Sequence, residues 1–207
     1  MIFQAGQRVL FIGDSITDCD RRFLAAPYGD GYVNLVRAFV TARHPQVRLT
    51  WLNRGVSGDT VRDLARRWEH DVLALQPDWL SVMIGINDIW RAYEPELAHD
   101  AVPIDEYEAT LRDLLRKAVD QTACRLILAD PYLIEPDPRE PQRTDTDRYG
   151  AVVEALAEEF DAVHVKTQQA FNAVLAVTAP QEWAEDRIHP NLPGHAVIAG
   201  AFLEAIG

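Results

Sequence analysis

Short apolar runs alternate along this chain with stretches whose apolar residues recur every three or four positions. The runs Val9 to Gly13, Val47 to Asn53, Trp79 to Gly85, Arg125 to Asp130 and Ala162 to Lys166 are strand-like in length and composition. Val61, Leu64, Ala65, Trp68, Val72 and Leu75 mark one helical stripe, which Gln76-Pro77 ends. Tyr107, Leu111, Leu114, Leu115 and Ala118 mark a second, and Tyr149, Val152, Val153, Leu156 and Phe160 a third. A last helix is predicted after Pro193, with Ile198, Ala199, Phe202 and Ile206 on one face. This alternation predicts an α/β fold whose parallel sheet is covered on both faces.

Between the fourth strand and the third stripe lies "IEPDPREPQRTDTD", Ile134 to Asp147, polar and proline-rich. Its place predicts a loop near the functional site or an oligomer contact rather than a domain boundary. No repeat or low-complexity tract appears, so residues 1–207 are expected to form a single domain, and 48% hydrophobic residues suffice for its core.

A net charge of -12 argues against nucleic acid as a partner, since that binding draws on Lys and Arg to neutralise phosphates. Two cysteines, Cys19 and Cys124, are too few for a disulfide framework and lack the company of a zinc site. They are expected to be free thiols, with no metal or cofactor. No apolar run approaches the ~20 residues of a membrane span. The first residues carry no secretory h-region, so a cytoplasmic location is expected.

Open sheets of this kind place ligands at the carboxyl ends of their strands. The first strand stops abruptly in "FIGDSITD", Phe11 to Asp18. Gly, Asp and Ser suit a strand-to-helix turn, and equally a turn that exposes Ser15 as a nucleophile. The other strand ends weigh on that choice. After the second comes "NRGVSGDT", with Gly58 and a helix start at Asp59 or Thr60; after the third, "MIGINDIW", with Asn87 and Asp88. Before the last helix, "EDRIHPNLPGH" sets Asp186 three residues from His189.

Ester hydrolysis by serine needs a base, a group that orients the base, and donors for the oxyanion. Imidazole suits the base because its unperturbed pKa, ~6.5, lies near working pH. Asp186 is spaced to bind one ring nitrogen of His189 and leave the other facing Ser15. The Ser15 N–H, a backbone group at Gly58 and the Asn87 amide are candidate oxyanion donors, Gly58 by allowing close backbone approach. Each residue alone is compatible with a turn, cap or loop; their joint placement at strand ends favours catalysis. Trp90, Arg91 and Tyr93 follow Asn87-Asp88 and are candidates to line a cleft or to pack. His44, His70, His99 and His164 lack such context, and His195 is expected to cap or pack on the last helix.

These blocks, Gly13-Asp14-Ser15, Gly58, Gly85-Ile86-Asn87-Asp88 and Asp186-Arg187-Ile188-His189, resemble those of the SGNH, or GDSL, hydrolase superfamily. The resemblance implies a three-layer α/β/α sandwich with a flavodoxin-like sheet of five parallel strands. It also implies a Ser15-His189-Asp186 triad and an oxyanion hole from Ser15, Gly58 and Asn87. The α/β-hydrolase elbow, Gly-x-Ser-x-Gly, is absent, for Thr17 stands at the second glycine position.

A closer likeness, to bacterial intracellular acetylxylan esterases of that superfamily, is carried by "LFIGDSITDC", "GVSGDTVRDL", "DWLSVMIGINDIWRAY", "DEYEATLR" and "DRIHPNLPGH". It implies deacetylation of xylo-oligosaccharides or related acetylated sugars, and a homo-oligomer. Asp14, Asp88, Trp90 and Tyr93 are expected to contact substrate. A short-chain acyl esterase, lipase or thioesterase is the alternative, and a non-catalytic carbohydrate-binding protein a remote one.

Overall fold

In β1, Arg8–Gly13, successive side chains face opposite sides of the sheet. Val9 and Phe11 enter one apolar cluster, and Leu10 and Ile12 another. The computed structural model, which describes residues 1–207, repeats this division across the sheet. In β3 (Trp79–Met83) and β4 (Arg125–Ala129), Trp79, Met83, Ile127 and Ala129 join the first cluster, while Leu80, Val82, Leu126 and Leu128 join the second. With β2 (Thr50–Asn53) and β5 (Val163–Val165) the sheet has five strands in the order β2-β1-β3-β4-β5, all parallel.

The connections are α1 (Ser15–Asp18), α2 (Tyr32–Arg43), α3 (Val61–Asp71), α4 (Ile86–Trp90), α5 (Ile104–Thr122), α6 (Pro141–Glu159), α7 (Thr167–Leu175) and α8 (Leu192–Ile206). Helices α2, α7 and α8 cover the first face, where Phe202 stacks on Tyr32 with ring centroids 5.1 Å apart. Helices α3, α5 and α6 cover the other, with Trp68, Leu111, Tyr149 and Leu156 buried beneath them. The result is the expected three-layer α/β/α sandwich. Cys19 and Cys124 are both free, and no helix is long and apolar enough to cross a membrane.

Three expectations need correction. The second strand starts at Thr50 rather than Val47, because Arg48 adopts a left-handed conformation (φ 48°) that breaks the extended run. The third strand ends at Met83, two residues early, where the chain turns through Gly85 (φ 132°) into α4. The segment Ile134 to Asp147 is a loop only in its first half. Pro141 opens α6, where its missing N–H costs nothing, and the Glu140 carboxylate accepts from the Arg143 N–H at 2.7 Å as the cap.

The connection from β1 runs to β2 on one side, and the next runs from β2 back past β1 to β3 on the other. A crevice therefore opens at the carboxyl end of β1, where α1 begins.

Candidate active site

Nucleation of α1 starts with Asp14, whose carboxylate accepts from the Ile16 N–H at 3.0 Å as the N-cap. This cap sets Ser15 at the first position of the helix, half-buried at the rim of the crevice. The Ser15 hydroxyl donates to Nε2 of His189 at 2.9 Å. On the far side of the ring, Nδ1 donates to Oδ2 of Asp186 at 2.6 Å. The other oxygen of Asp186 accepts from the backbone N–H groups of His189, at 2.8 Å, and Ile188, at 3.0 Å.

Partial burial tends to raise the Asp186 pKa, but the hydrogen bonds from the His189 ring, its N–H and the Ile188 N–H outweigh it and hold the carboxyl below its ordinary value. Asp186 is therefore anionic near neutral pH and fixes the tautomer that leaves Nε2 free to accept. A short antiparallel bridge, Ala184 to Pro190, closes the loop that carries both residues.

Facing this triad-like row is the segment after β2. Gly58 has φ 84°, and an added Cβ there would meet nothing within 4 Å. Close backbone approach is thus not what requires glycine at this position; the left-handed backbone is. The Gly58 carbonyl accepts from the Arg91 guanidinium at 2.6 Å, and its N–H has no acceptor within the chain. Asn87, half-buried at the start of α4, uses one amide N–H on the Asp59 carbonyl at 3.0 Å. The second amide N–H remains for a ligand. Helix α3 begins after Thr60, as one of the two expected starts, and the Thr60 N–H and hydroxyl both donate to the Asp63 carboxylate, at 3.0 and 2.7 Å.

Two residues expected to touch substrate lie beneath the site instead. Asp14 and Asp88 are each 1% exposed. Asp14 caps α1, and Asp88 accepts from the Val61 N–H at 3.0 Å, joining α4 to the first turn of α3. Burial pushes the Asp14 carboxyl up to about 7, reinforced by the negative fields of Asp88 and Asp59 against the Ile16 hydrogen bond. Burial likewise pushes Asp88 up to about 7. Both carboxyls are therefore partly protonated near neutral pH, which lowers the negative charge buried beneath α1 and α4.

Trp90 is half-buried against the first core cluster. Tyr93 is 38% exposed, with its hydroxyl donating to Asp145 at 2.7 Å, which ties the turn after α4 to α6. His195 packs under α1: its Nε2 lies 3.4 Å from the Cys19 thiol, its Nδ1 accepts from the Tyr32 N–H, and burial lowers its pKa to about 4.

Sequence reasoning passed over Asn53. Its amide donates to the Thr17 and Tyr28 carbonyls at 2.6 and 2.9 Å, and its oxygen accepts from the Gly55 N–H at 2.9 Å, binding the nucleophile turn to the end of β2. A lone polar residue closing an apolar strand is the signal that marks it.

Comparisons with known proteins bear on the family and the fold. The model of the GDSL-like Lipase/Acylhydrolase family matches residues 11–197. An acetylxylan esterase of Geobacillus stearothermophilus is 46% identical over 212 residues, spanning 98% of this chain and 95% of that protein. A crystal structure of an acetylxylan esterase from the same organism superposes with a TM-score of 0.96 at 45% identity, covering 100% of this chain and 97% of that one. Thioesterase 1/protease 1/lysophospholipase L1 of Escherichia coli K12 is 28% identical over 155 residues, 74% of this chain and 65% of that protein.

Proposed function

This chain belongs to the GDSL-like lipase/acylhydrolase family, and from that membership we propose a serine carbohydrate esterase that removes acetyl groups from xylo-oligosaccharides or related acetylated sugars. The observation that carries the reading is the unbroken hydrogen-bond row from Ser15 through His189 to Asp186. Ser15 Oγ attacks the acetyl carbonyl as Nε2 of His189 takes its proton. Asp186 stabilises the imidazolium that results. The oxyanion accepts from the N–H groups of Ser15 and Gly58 and from the Asn87 amide. Collapse of this intermediate breaks the ester C–O bond, and His189 returns the proton to the departing sugar oxygen. Water, deprotonated by His189, then attacks the acetyl-enzyme and releases acetate with Ser15 restored.

Acetylated sugar rather than long-chain lipid is supported by the surface beside Gly58. A cavity of about 420 Å³ there has no hydrophobic lining residue; Ser57, Thr60, Arg62, Asp63, Arg66 and Asp100 form most of its wall. Hydroxyl groups find partners on such a wall, whereas an acyl chain gains little from it. A cytoplasmic, homo-oligomeric protein acting as one domain over residues 1–207 completes the reading.

Acetate release from acetylated xylo-oligosaccharides, with wild type beside Ser15→Ala, tests the proposal. Release by wild type alone supports it. Ser15-dependent cleavage of an aryl acetate with no action on the oligosaccharide would keep the triad and remove the sugar, and rates that rise from acetyl to octanoyl esters would favour a lipolytic role.

A further inference from the structure

We propose that Arg67, on the second turn of α3, is a positioning residue that sets the distance between the Ser15 nucleophile and the oxyanion donors; this rests on the esterase reading above. One half-buried guanidinium reaches both halves of the site. Its Nη2 donates to the Gly13 carbonyl at 3.1 Å, one residue before the Asp14 cap of α1. Its Nη1 donates to the Arg54 carbonyl at 2.7 Å, just past the end of β2, and to Asp71 at 3.0 Å. Its Nε donates to the Asp59 carboxylate at 2.6 Å, one residue after Gly58.

Asp59 carries the connection onward, because its own carbonyl accepts the Asn87 amide at 3.0 Å. The carboxyl ends of β1, β2 and β3 are therefore joined in one continuous network through the Arg67, Asp59 and Asn87 side chains and the Asp59 carbonyl. Those ends bear, in turn, Ser15, Gly58 and Asn87. The Arg67 side chain is 17% exposed and Asp59 11% exposed, so water competes weakly for the bonds between them.

The chemistry explains why the position holds arginine. Its acceptors diverge: two backbone carbonyls and two carboxylates approach one planar group from different directions. A guanidinium presents five donors in a fixed fork, while a lysine ammonium is a single point of charge on a flexible stem. Lysine can pair with Asp59 or Asp71 and preserve the local charge, yet it cannot hold Gly13 and Asp59 in register at once. Arg67 touches no reacting atom in this arrangement. Its effect on catalysis runs through the geometry of others, and displacements of about 1 Å in such geometry cost on the order of 10²-fold in rate.

The experiment compares wild type, Arg67→Lys and Arg67→Ala on an aryl acetate, a substrate that calls on Ser15 and the oxyanion donors but not on any sugar contact. Expected are kcat losses of roughly 10²-fold for both variants with KM changed by less than about three-fold. Affinity for a trifluoromethyl ketone that forms a tetrahedral adduct should fall in parallel with kcat. Added guanidinium at millimolar concentration should restore part of the activity of Arg67→Ala and none of that of Arg67→Lys. Thermal unfolding of each variant reports whether it is folded. A folded Arg67→Lys that keeps kcat within about three-fold of wild type overturns the proposal, as does loss of fold in both variants, which would make Arg67 a stabilising residue only. Absence of Ser15-dependent cleavage in wild type is a separate result, and it removes the esterase reading itself together with this one.

Discussion

Asp186 grips His189 twice, by the ring through one carboxylate oxygen at 2.6 Å and by the backbone N–H through the other at 2.8 Å. The imidazole is thus fixed both in tautomer and in orientation by a residue three positions earlier. Substitution Asp186→Asn retains the shape but offers a single acceptor, so one of the two grips is lost or the ring tautomer inverts. The expected outcome is a fall in kcat of roughly 10²–10⁴-fold with little change in KM, measured by steady-state acetate release.

Asn87 gives one amide N–H to the Asp59 carbonyl at 3.0 Å and keeps the other without an acceptor in the chain. Asn87→Ala removes the side-chain donor proposed for the oxyanion and frees the Asp59 carbonyl together. A kcat reduction on the order of 10²–10³-fold is expected, with Ser15 still labelled by an organophosphonate. Wild-type turnover in this variant would remove Asn87 from the oxyanion hole.

Gly55 and Gly58 make a matched pair for testing two reasons to be glycine. A Cβ on Gly55 would sit 2.2 Å from the backbone nitrogen of Asp18, in α1, whereas one on Gly58 meets open space but must tolerate φ 84°. Gly58→Ala should fold with a loss of ~1–2 kcal/mol from the left-handed backbone. Gly55→Ala should lose more stability and also activity, because α1 must shift and carry Ser15 with it. Melting temperatures and kcat measured for both variants decide this.

Asp88 provides a test in pH. An unfolded aspartate titrates near 3.9, and burial raises the folded carboxyl to about 7. Between those values the folded chain holds a proton that the unfolded chain has released, so this group's contribution to stability is favourable at low pH and declines as pH rises toward 7. Asp88→Asn keeps an acceptor for the Val61 N–H and cannot ionise. The melting temperature of Asp88→Asn relative to wild type should therefore climb from pH 4 to pH 8. A flat difference across that range would show that Asp88 is not held protonated.

Much of this architecture was legible because burial on both sheet faces leaves nearly unbroken apolar runs, as in Val9 to Gly13 and Arg125 to Asp130. Ser15, Gly58, Asn87, Asp186 and His189 were legible for a different reason: polar residues stand out where such runs stop. Burial of single carboxylates was not. Asp14 and Asp88 were expected to contact substrate, and only the packing of α1, α3 and α4 shows them enclosed. The start of α6 was hidden by its composition, since Pro141 and its polar neighbours suit a loop and a first helical turn alike. Arg67 escaped because two of its four acceptors are backbone carbonyls, those of Gly13 and Arg54, which leave no mark in any local pattern.

Ser15 and His189 are separated by 174 positions and meet only across the assembled sheet. Ser15 is synthesised long before His189, so the serine proposed as nucleophile lacks its proposed base until the loop before α8 is in place. Recovery of turnover after dilution from denaturant should therefore not precede closure of the first face around Tyr32 and Phe202.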